Sequence, residues 1–201
     1  MFDQIPSDEI ITKTGEALKA NGIESFVVEN GQAAKAKLAE LIPAGAQVMN
    51  MTSKTLEAIG AVEMLVDSGQ YQAVKPKLSD KDLDPFMKRA LGSASDWTVG
   101  SAHAVTHEGQ IMIASNTGSQ LGAEAYASAH VVFVIGAQKI VKDREEGFKR
   151  IYEYVLPKES VRANEAYHIT TGSFVSKLLM INREVNKDRI KVILVKEQLG
   201  F

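Results

Sequence analysis

Side chains that could take part in chemistry are concentrated between residues 100 and 141, where short apolar runs alternate with glycine and polar residues. Glu108 lies in a His-Glu-Gly turn between two such runs, which is the pattern of a hairpin. Its carboxylate could act as a nucleophile or a general base, with His103 or His107 passing protons beside it. Glu108 is thus a catalytic candidate, and a solvated turn acid is the commoner alternative.

A second group of candidates lies where a predicted strand is followed by a helix. The hydroxyls of Thr52, Ser53 and Thr55, together with free backbone N–H groups, could hold a phosphate or a carboxylate. Lys54 adds positive charge. The glycine spacing of a Walker loop is absent, and simple N-capping explains the hydroxyls equally well. Glu57 in the first turn is typical of an acid that complements the helix dipole.

A polar loop and two basic residues complete the candidates. Thr117 and Gly118 lie in a stretch of six small or polar residues, where glycine permits close approach of the backbone to a ligand. Lys139 and Arg150 follow the longest apolar strand and could close over an anion, although charged residues at such places are more often solvated. An ordinary turn remains the alternative for the loop.

Several classes of chemistry are excluded or disfavoured. The chain has no cysteine, which rules out disulfides, cysteine-ligated iron–sulfur clusters, thiolate zinc sites and cysteine nucleophiles. No acid stands four residues from a histidine on a predicted helix, and no Ser-His-acid order or GxSxG motif is present. We therefore predict no metal site, no cofactor and no serine-hydrolase activity.

Composition indicates an ordinary globular protein of one domain, residues 1–201. Its 201 residues are 45% apolar and 24% charged, with a net charge of −2. Basic and acidic residues are mixed, which favours neither a nucleic-acid nor a membrane partner. The first residues lack the features of a signal peptide, so we expect a cytoplasmic location. A homodimer is expected only on general grounds.

Apolar periodicity predicts the elements that would position these residues. Helices are predicted at 8–21, 31–42, 52–68, 80–91, 123–127 and 143–155, and strands at 23–28, 46–49, 71–74, 102–106, 110–114, 130–135 and 189–196. The run 173–182 is compatible with either type. Pro157 is expected to end a helix, and 158–171 is predicted to be an extended surface loop. The alternation favours an α/β fold: a parallel-rich sheet flanked by helices on both sides, with an inserted antiparallel hairpin.

Ordered motifs extend along nearly the whole chain, in Ala46–Leu65, His103–Gly109, His130–Val141 and Asp188–Phe201, with Thr117-Gly118 between the second and third. They resemble those of the lactate-utilization (LUD) domain family. Each motif is weak alone, but their order and spacing are specific. The residues at the family's motif positions are Ser53, Thr55, Glu57, Gly60, Glu108, Gly109, Thr117 and Gly118.

The resemblance implies a fold similar to sugar-phosphate isomerases and CoA transferases, in proteins that support oxidation of L-lactate to pyruvate. The implied partners are a small organic anion, or a phosphate or CoA-type ligand, and iron–sulfur oxidoreductase subunits. The chain departs from many relatives, which have N-A-x-T-E-D-G near 103–109 and D-G-T-G-N-R at 115–120. Loss of an acid and an arginine changes which anion could be held.

Three functions are compatible with these residues and this resemblance. One is a lactate-utilization protein that binds an organic anion or an oxidoreductase partner. The second is an enzyme of the CoA-transferase or sugar-phosphate isomerase type, with Glu108 as nucleophile or base and the 52–55 turn holding phosphate. The third is a scaffold whose cleft has degenerated, which the altered loop 115–120 suggests.

Overall fold

A computed structural model describes residues 2–201. Its α-helices are α1 Asp8–Ala20, α2 Gly31–Leu41, α3 Lys54–Ala58, α4 Ala61–Val66, α5 Pro85–Ser93, α6 Arg144–Lys149 and α7 Leu156–Tyr167. Its strands are β1 Glu24–Val28, β2 Gln47–Asn50, β3 Gln72–Ala73, β4 Trp97–Gly100, β5 Ala104–Thr106, β6 Ile111–Ser115, β7 His130–Gly136, β8 Ile140–Val141, β9 Lys177–Ile181 and β10 Ile190–Val195. Short 3₁₀ segments occupy Lys75–Ser79 and Ala137–Lys139, and π-helical segments occupy Ala123–Ala127 and Arg150–Val155.

The larger sheet is parallel throughout. Within residues 2–201 it contains six strands in the order β1-β10-β7-β4-β2-β3. The interior strands β7 and β10 are apolar and buried along nearly their whole length, apart from His130 and Lys191, because both faces of the sheet are covered. The predicted parallel-rich α/β fold is confirmed.

Side chains of the central strands alternate between two apolar cores. Val132 and Val134 of β7 pack with residues of α2, α3 and α4 on one face. Val131, Phe133 and Ile135 point to the other face, where they meet α1 and the inner side of a second sheet. The period of two along β7 thus divides the interior into two layers.

The second sheet contains the predicted hairpin. Its strand order is β8-β5-β6-β9, with β5 antiparallel to β6, β9 antiparallel to β6, and β8 parallel to β5. Val105 and Ile111 face the large sheet, whereas Ala104 and Met112 face Ile151 on the outer side. The hairpin is therefore the centre of a separate mixed sheet.

The prediction that a helix ends at Pro157 was wrong, and most of the predicted surface loop, residues 158–167, is helical. Backbone angles stay helical through both junctions, Lys149–Arg150 and Val155–Leu156. The N–H of Leu156 donates to the carbonyl of Ile151, five residues back, as in a π-helix. This change of register places Pro157 in the first turn of α7, where its missing N–H is tolerated.

Three further differences concern single elements. The helix predicted over 52–68 is divided at Gly60, whose φ of 64° is left-handed. The helix predicted over 80–91 begins only at Pro85, where Asp84 caps it. Strand β4 had not been predicted, although each of its residues is buried. No helix within residues 2–201 combines the length and apolar character needed to span a membrane.

Candidate functional site

A cleft of about 370 Å³ opens at the carboxyl ends of the parallel strands. Residues directly after β2, β4 and β7 form its floor, and α7 with the following residues 169–175 forms the facing wall. Open α/β sheets commonly bind ligands at this edge. The position of the cleft therefore follows from the topology of the large sheet.

Lys139 is the central residue of the floor. It ends the 3₁₀ turn that follows β7, and the residue is only 2% exposed. Its Nζ donates to Thr55 Oγ1 at 2.9 Å and to Ser101 Oγ at 3.2 Å. Within residues 2–201, no carboxylate lies within 4.0 Å of this Nζ. Burial, and then the charge of Arg150, lowers the pKa of Lys139 to about 7.

The hydroxyl of Thr55, one of the two partners of Lys139 Nζ, is held by Leu199. Thr55 Oγ1 donates to the carbonyl of Leu199 at 3.0 Å and accepts from Ser101 Oγ at 3.3 Å. Gln138 Nε2 donates to the same Leu199 carbonyl at 3.0 Å. Thr55 therefore presents its lone pairs to Lys139 in a fixed direction.

His103 lines the cleft next to this group. Its Nδ1 accepts the N–H of Ala114 at 3.1 Å, which leaves the ring proton of the neutral form on Nε2. Burial, followed by the charges of Lys139 and Arg150, lowers the pKa of His103 to about 3. The ring is thus neutral at physiological pH and available as a hydrogen-bond donor.

Arg150 supplies a permanent charge beneath the floor. It is fully buried in the π-helical segment, and its Nη1 donates to the carbonyl of His103. Nε and Nη2 have no hydrogen-bond partner within the described residues, although the guanidinium lies 5.3 Å from the centre of the Tyr154 ring. Burial lowers its pKa to about 10, so it stays protonated at neutral pH. Lys139 and Arg150 together give the deep end of the cleft a positive potential without a compensating acid.

Two further buried polar residues lie along the same edge. Asn50, at the end of β2, lines the cleft, and neither of its side-chain polar atoms has a partner within residues 2–201. Glu124 is buried beside Gly100, and burial raises the pKa of its carboxyl well above the ordinary range. A protonated Glu124 adds no negative charge to oppose the basic floor.

The outer part of the cleft is more polar and more exposed. Lys75 Nζ donates to Thr52 Oγ1 at 3.0 Å, and Lys54 pairs with Glu57 at 2.6 Å. Ser53 caps α3, since its Oγ accepts the N–H of Leu56. Of the strand-to-helix candidates, only Thr55 reaches the buried floor, whereas Thr52, Ser53 and Glu57 line the entrance.

The predicted polar loop mainly satisfies its own hydrogen bonds. Ser115 Oγ accepts the N–H of Gly118 at 2.8 Å and donates to Gln120 Oε1 at 3.0 Å. Thr117 lines the cleft but accepts the N–H of Ser119. Gly118 does not line the cleft. Its φ of 83° is left-handed, and a Cβ added there would lie 2.6 Å from Cδ of Lys177, which explains the glycine.

Glu108 lies elsewhere. It is exposed in the hairpin turn and is not among the residues that line the cleft. Its backbone carbonyl accepts from Asn21 Nδ2 at 2.7 Å, and Asn21 caps the end of α1, three residues before β1 begins at the amino edge of the large sheet. His107 is exposed in the same turn. The structure therefore separates Glu108 from Thr55, Lys139 and His103.

Sequence reasoning missed several cleft residues. Ser101 was not a candidate because it follows β4, which had not been predicted. Asn50 directly follows the strand predicted at 46–49 and could have been found from the rule that sites form at the carboxyl ends of strands. The wall formed by α7, including the Glu159–Arg162 pair at 2.6 Å, was missed because this segment had been predicted to be a loop. No group of three or more acids and histidines suited to a metal ion occurs within residues 2–201.

Comparison with known proteins gives three findings. No curated protein matches the chain. The crystal structure of a DUF162 family protein from Deinococcus radiodurans is similar, with a TM-score of 0.57 and 15% sequence identity, over 94% of this chain and 99% of that chain. At this identity the likeness concerns the fold alone. The model of the LUD domain family matches residues 11–195, nearly the whole chain, and the protein therefore belongs to the LUD domain family.

Proposed function

We propose that the protein binds a small organic anion at Lys139 and acts in lactate utilization. The observation that carries the proposal is a buried ammonium group on the cleft floor that has hydroxyl partners but no carboxylate within the described residues. A buried cation without an acid is costly, and a bound carboxylate would remove that cost. The positive charge of Arg150 also favours a negatively charged ligand at this site.

The ligand's acid group would occupy the deep end of the cleft. Thr55 and Ser101 would orient it, and Nε2 of His103 would donate to it or to a neighbouring oxygen. The apolar side chains of Ile151, Val155 and the wall would surround the carbon skeleton. The same cleft residues would serve for lactate or pyruvate, which differ at one carbon.

Electron transfer is assigned to partner subunits in this proposal. The chain has no cysteine with which to ligate an iron–sulfur cluster, and the family resemblance implies iron–sulfur oxidoreductase subunits as partners. The chain would therefore bind and present the organic acid. A catalytic role for Glu108 gains no support from its position in the exposed hairpin turn.

Isothermal titration calorimetry with pyruvate and with L-lactate tests the proposal. We expect saturable binding by the unaltered protein and at least about tenfold weaker binding by Lys139→Met, because a charge-assisted hydrogen bond contributes about 1.5–3 kcal/mol. Lys142→Met is the matched control, since Lys142 is exposed and only three residues away. Absence of binding by the unaltered protein, or equal binding by Lys139→Met, would refute the proposal.

A further inference from the structure

Lys139 combines features that suit an amine nucleophile. Its Nζ lies on the floor of a cleft, is held by Thr55 Oγ1 and Ser101 Oγ, and is not engaged by a carboxylate within residues 2–201. A lysine that serves only structure is normally paired with an acid or extends its ammonium into water. Lys139 has no such acid within residues 2–201, and its burial keeps the ammonium group away from water.

The surroundings keep a large share of this amine unprotonated at neutral pH. Burial is the main cause of the lowered pKa, and the Arg150 guanidinium adds repulsion. His103 is neutral and adds no negative charge that would hold the proton on Nζ. A desolvated lysine beside another cation is a known arrangement for Schiff-base chemistry.

We infer that Lys139 forms a covalent imine with the carbonyl group of a 2-oxo acid bound in this cleft. The inference rests on the proposed binding of an organic anion and adds a reaction to it. The carbonyl group is required because only an electrophilic carbon can accept the amine. The acid group is required because Arg150 would otherwise face a second positive charge once the imine is protonated.

The reaction needs no oxidant or reductant. The lone pair of the neutral Nζ forms a bond to the carbonyl carbon, and a proton moves from nitrogen to the former carbonyl oxygen to give a carbinolamine. Loss of that hydroxyl with one further proton from nitrogen releases water and leaves the C=N bond. The hydroxyls of Thr55 and Ser101, already in contact with Nζ, can relay these protons.

His103 would assist the first step as a hydrogen-bond donor. Its Nδ1 is occupied by the N–H of Ala114, so the neutral ring can offer only Nε2–H to the cleft. A neutral imidazole that polarises a carbonyl oxygen avoids adding charge beside Lys139 and Arg150. Its lowered pKa ensures that it remains in this form.

Reductive trapping tests the inference. The full-length protein is incubated with pyruvate and sodium cyanoborohydride, which reduces the imine to a stable secondary amine, and is then analysed by intact mass and peptide mapping. We expect one adduct per chain, equal in mass to pyruvate less one oxygen, with Lys139 labelled at least tenfold faster than the exposed Lys142. Lactate lacks a carbonyl group and should give no adduct.

The outcomes separate this inference from the proposed function. Calorimetric binding of pyruvate without an adduct at Lys139 would overturn the imine and leave anion binding in place. Failure of both binding and labelling would overturn both. Labelling of Lys142 as fast as Lys139 would show ordinary surface chemistry and also overturn the imine. Lys139→Met should lose the adduct, and peptide mapping of the unaltered protein decides the question even if that variant does not fold.

Discussion

At the residue scale, the buried ammonium group of Lys139 should lower the free energy of unfolding. Transfer of a charged amine into the interior is unfavourable, and its partners are neutral hydroxyls rather than an acid within the described residues. Methionine has a similar length and no charge. In its place, Thr55 would keep its hydrogen bond to the Leu199 carbonyl, and Ser101 would keep its hydrogen bond to Thr55. Residues that lower stability in this way are typical of functional sites.

We predict that Lys139→Met is more stable than the unaltered protein at pH 7. The amine has an ordinary pKa of 10.5 in the unfolded chain and a pKa of about 7 in the folded chain. Between these values the unfolded chain binds more protons, so Lys139 makes stability rise with pH, by up to about 1.4 kcal/mol per pH unit.

Urea unfolding of both proteins from pH 6 to pH 10 measures this effect. The stability advantage of Lys139→Met should be largest at pH 6 to 7 and should shrink steadily toward pH 10. A difference between the two proteins that does not vary with pH would show that Lys139 titrates normally in the folded state. Lys142→Met should show no such trend, because Lys142 is exposed.

At the element scale, periodicity predicted the segments with a clear apolar face. Helix α1 and strands β7 and β10 were found because their buried residues repeat at the period of their structure. Helix α7 was missed because Ala163 is its only buried residue and Pro157 resembles a stop signal. The register change in the π-helical segment has no simple sequence signature.

The same reasoning explains what was found of the site. Thr55 and Lys139 were candidates because each follows a strand that apolar pattern alone identifies, and parallel strands end at one edge. Glu108 was a candidate because a carboxylate can act as a nucleophile or base. The sequence does not show, however, at which edge of the large sheet its hairpin turn lies. Only the packing of Asn21 against that turn shows that it lies at the amino edge.

Gly60 is the element-scale feature with the clearest test. It separates α3 from α4 with a φ of 64°, and an added Cβ would meet only the mobile end of Lys35 at 3.1 Å and of Glu63 at 3.8 Å. We predict that Gly60→Ala lowers the free energy of unfolding by about 1–2 kcal/mol, the cost of left-handed backbone for an L-residue.

Gly60→Asn is the matched control because asparagine tolerates this conformation better than alanine. Urea unfolding should rank the unaltered protein first, Gly60→Asn second and Gly60→Ala third. Equal stability of the alanine variant and the unaltered protein would mean that α3 and α4 can merge into one helix, as the sequence pattern had suggested.

At the scale of the whole molecule, the last residues join distant parts of the chain at the cleft. The Leu199 carbonyl accepts from Thr55 at the start of α3 and from Gln138 after β7. The Leu199 side chain is buried in the core formed by α2, α3 and α4. The floor of the cleft is therefore complete only when this segment is in place.

We predict that deletion of residues 199–201 impairs both stability and ligand binding. Loss of the buried Leu199 side chain alone should cost about 2–5 kcal/mol. Loss of its carbonyl would also leave the Thr55 hydroxyl and the Gln138 amide without an acceptor, so Thr55 would no longer be fixed toward Lys139.

Phe201→Ala is the control, because it keeps Leu199 and Gly200 and removes only a partly exposed ring at the cleft. Thermal unfolding should show a large fall in Tm for the deletion and a small one for Phe201→Ala, and calorimetry with pyruvate should show binding lost in the former. A deletion variant with unchanged Tm and unchanged binding would mean that Thr55 and Lys139 keep their positions without the segment, and that the floor of the cleft is determined by the large sheet alone.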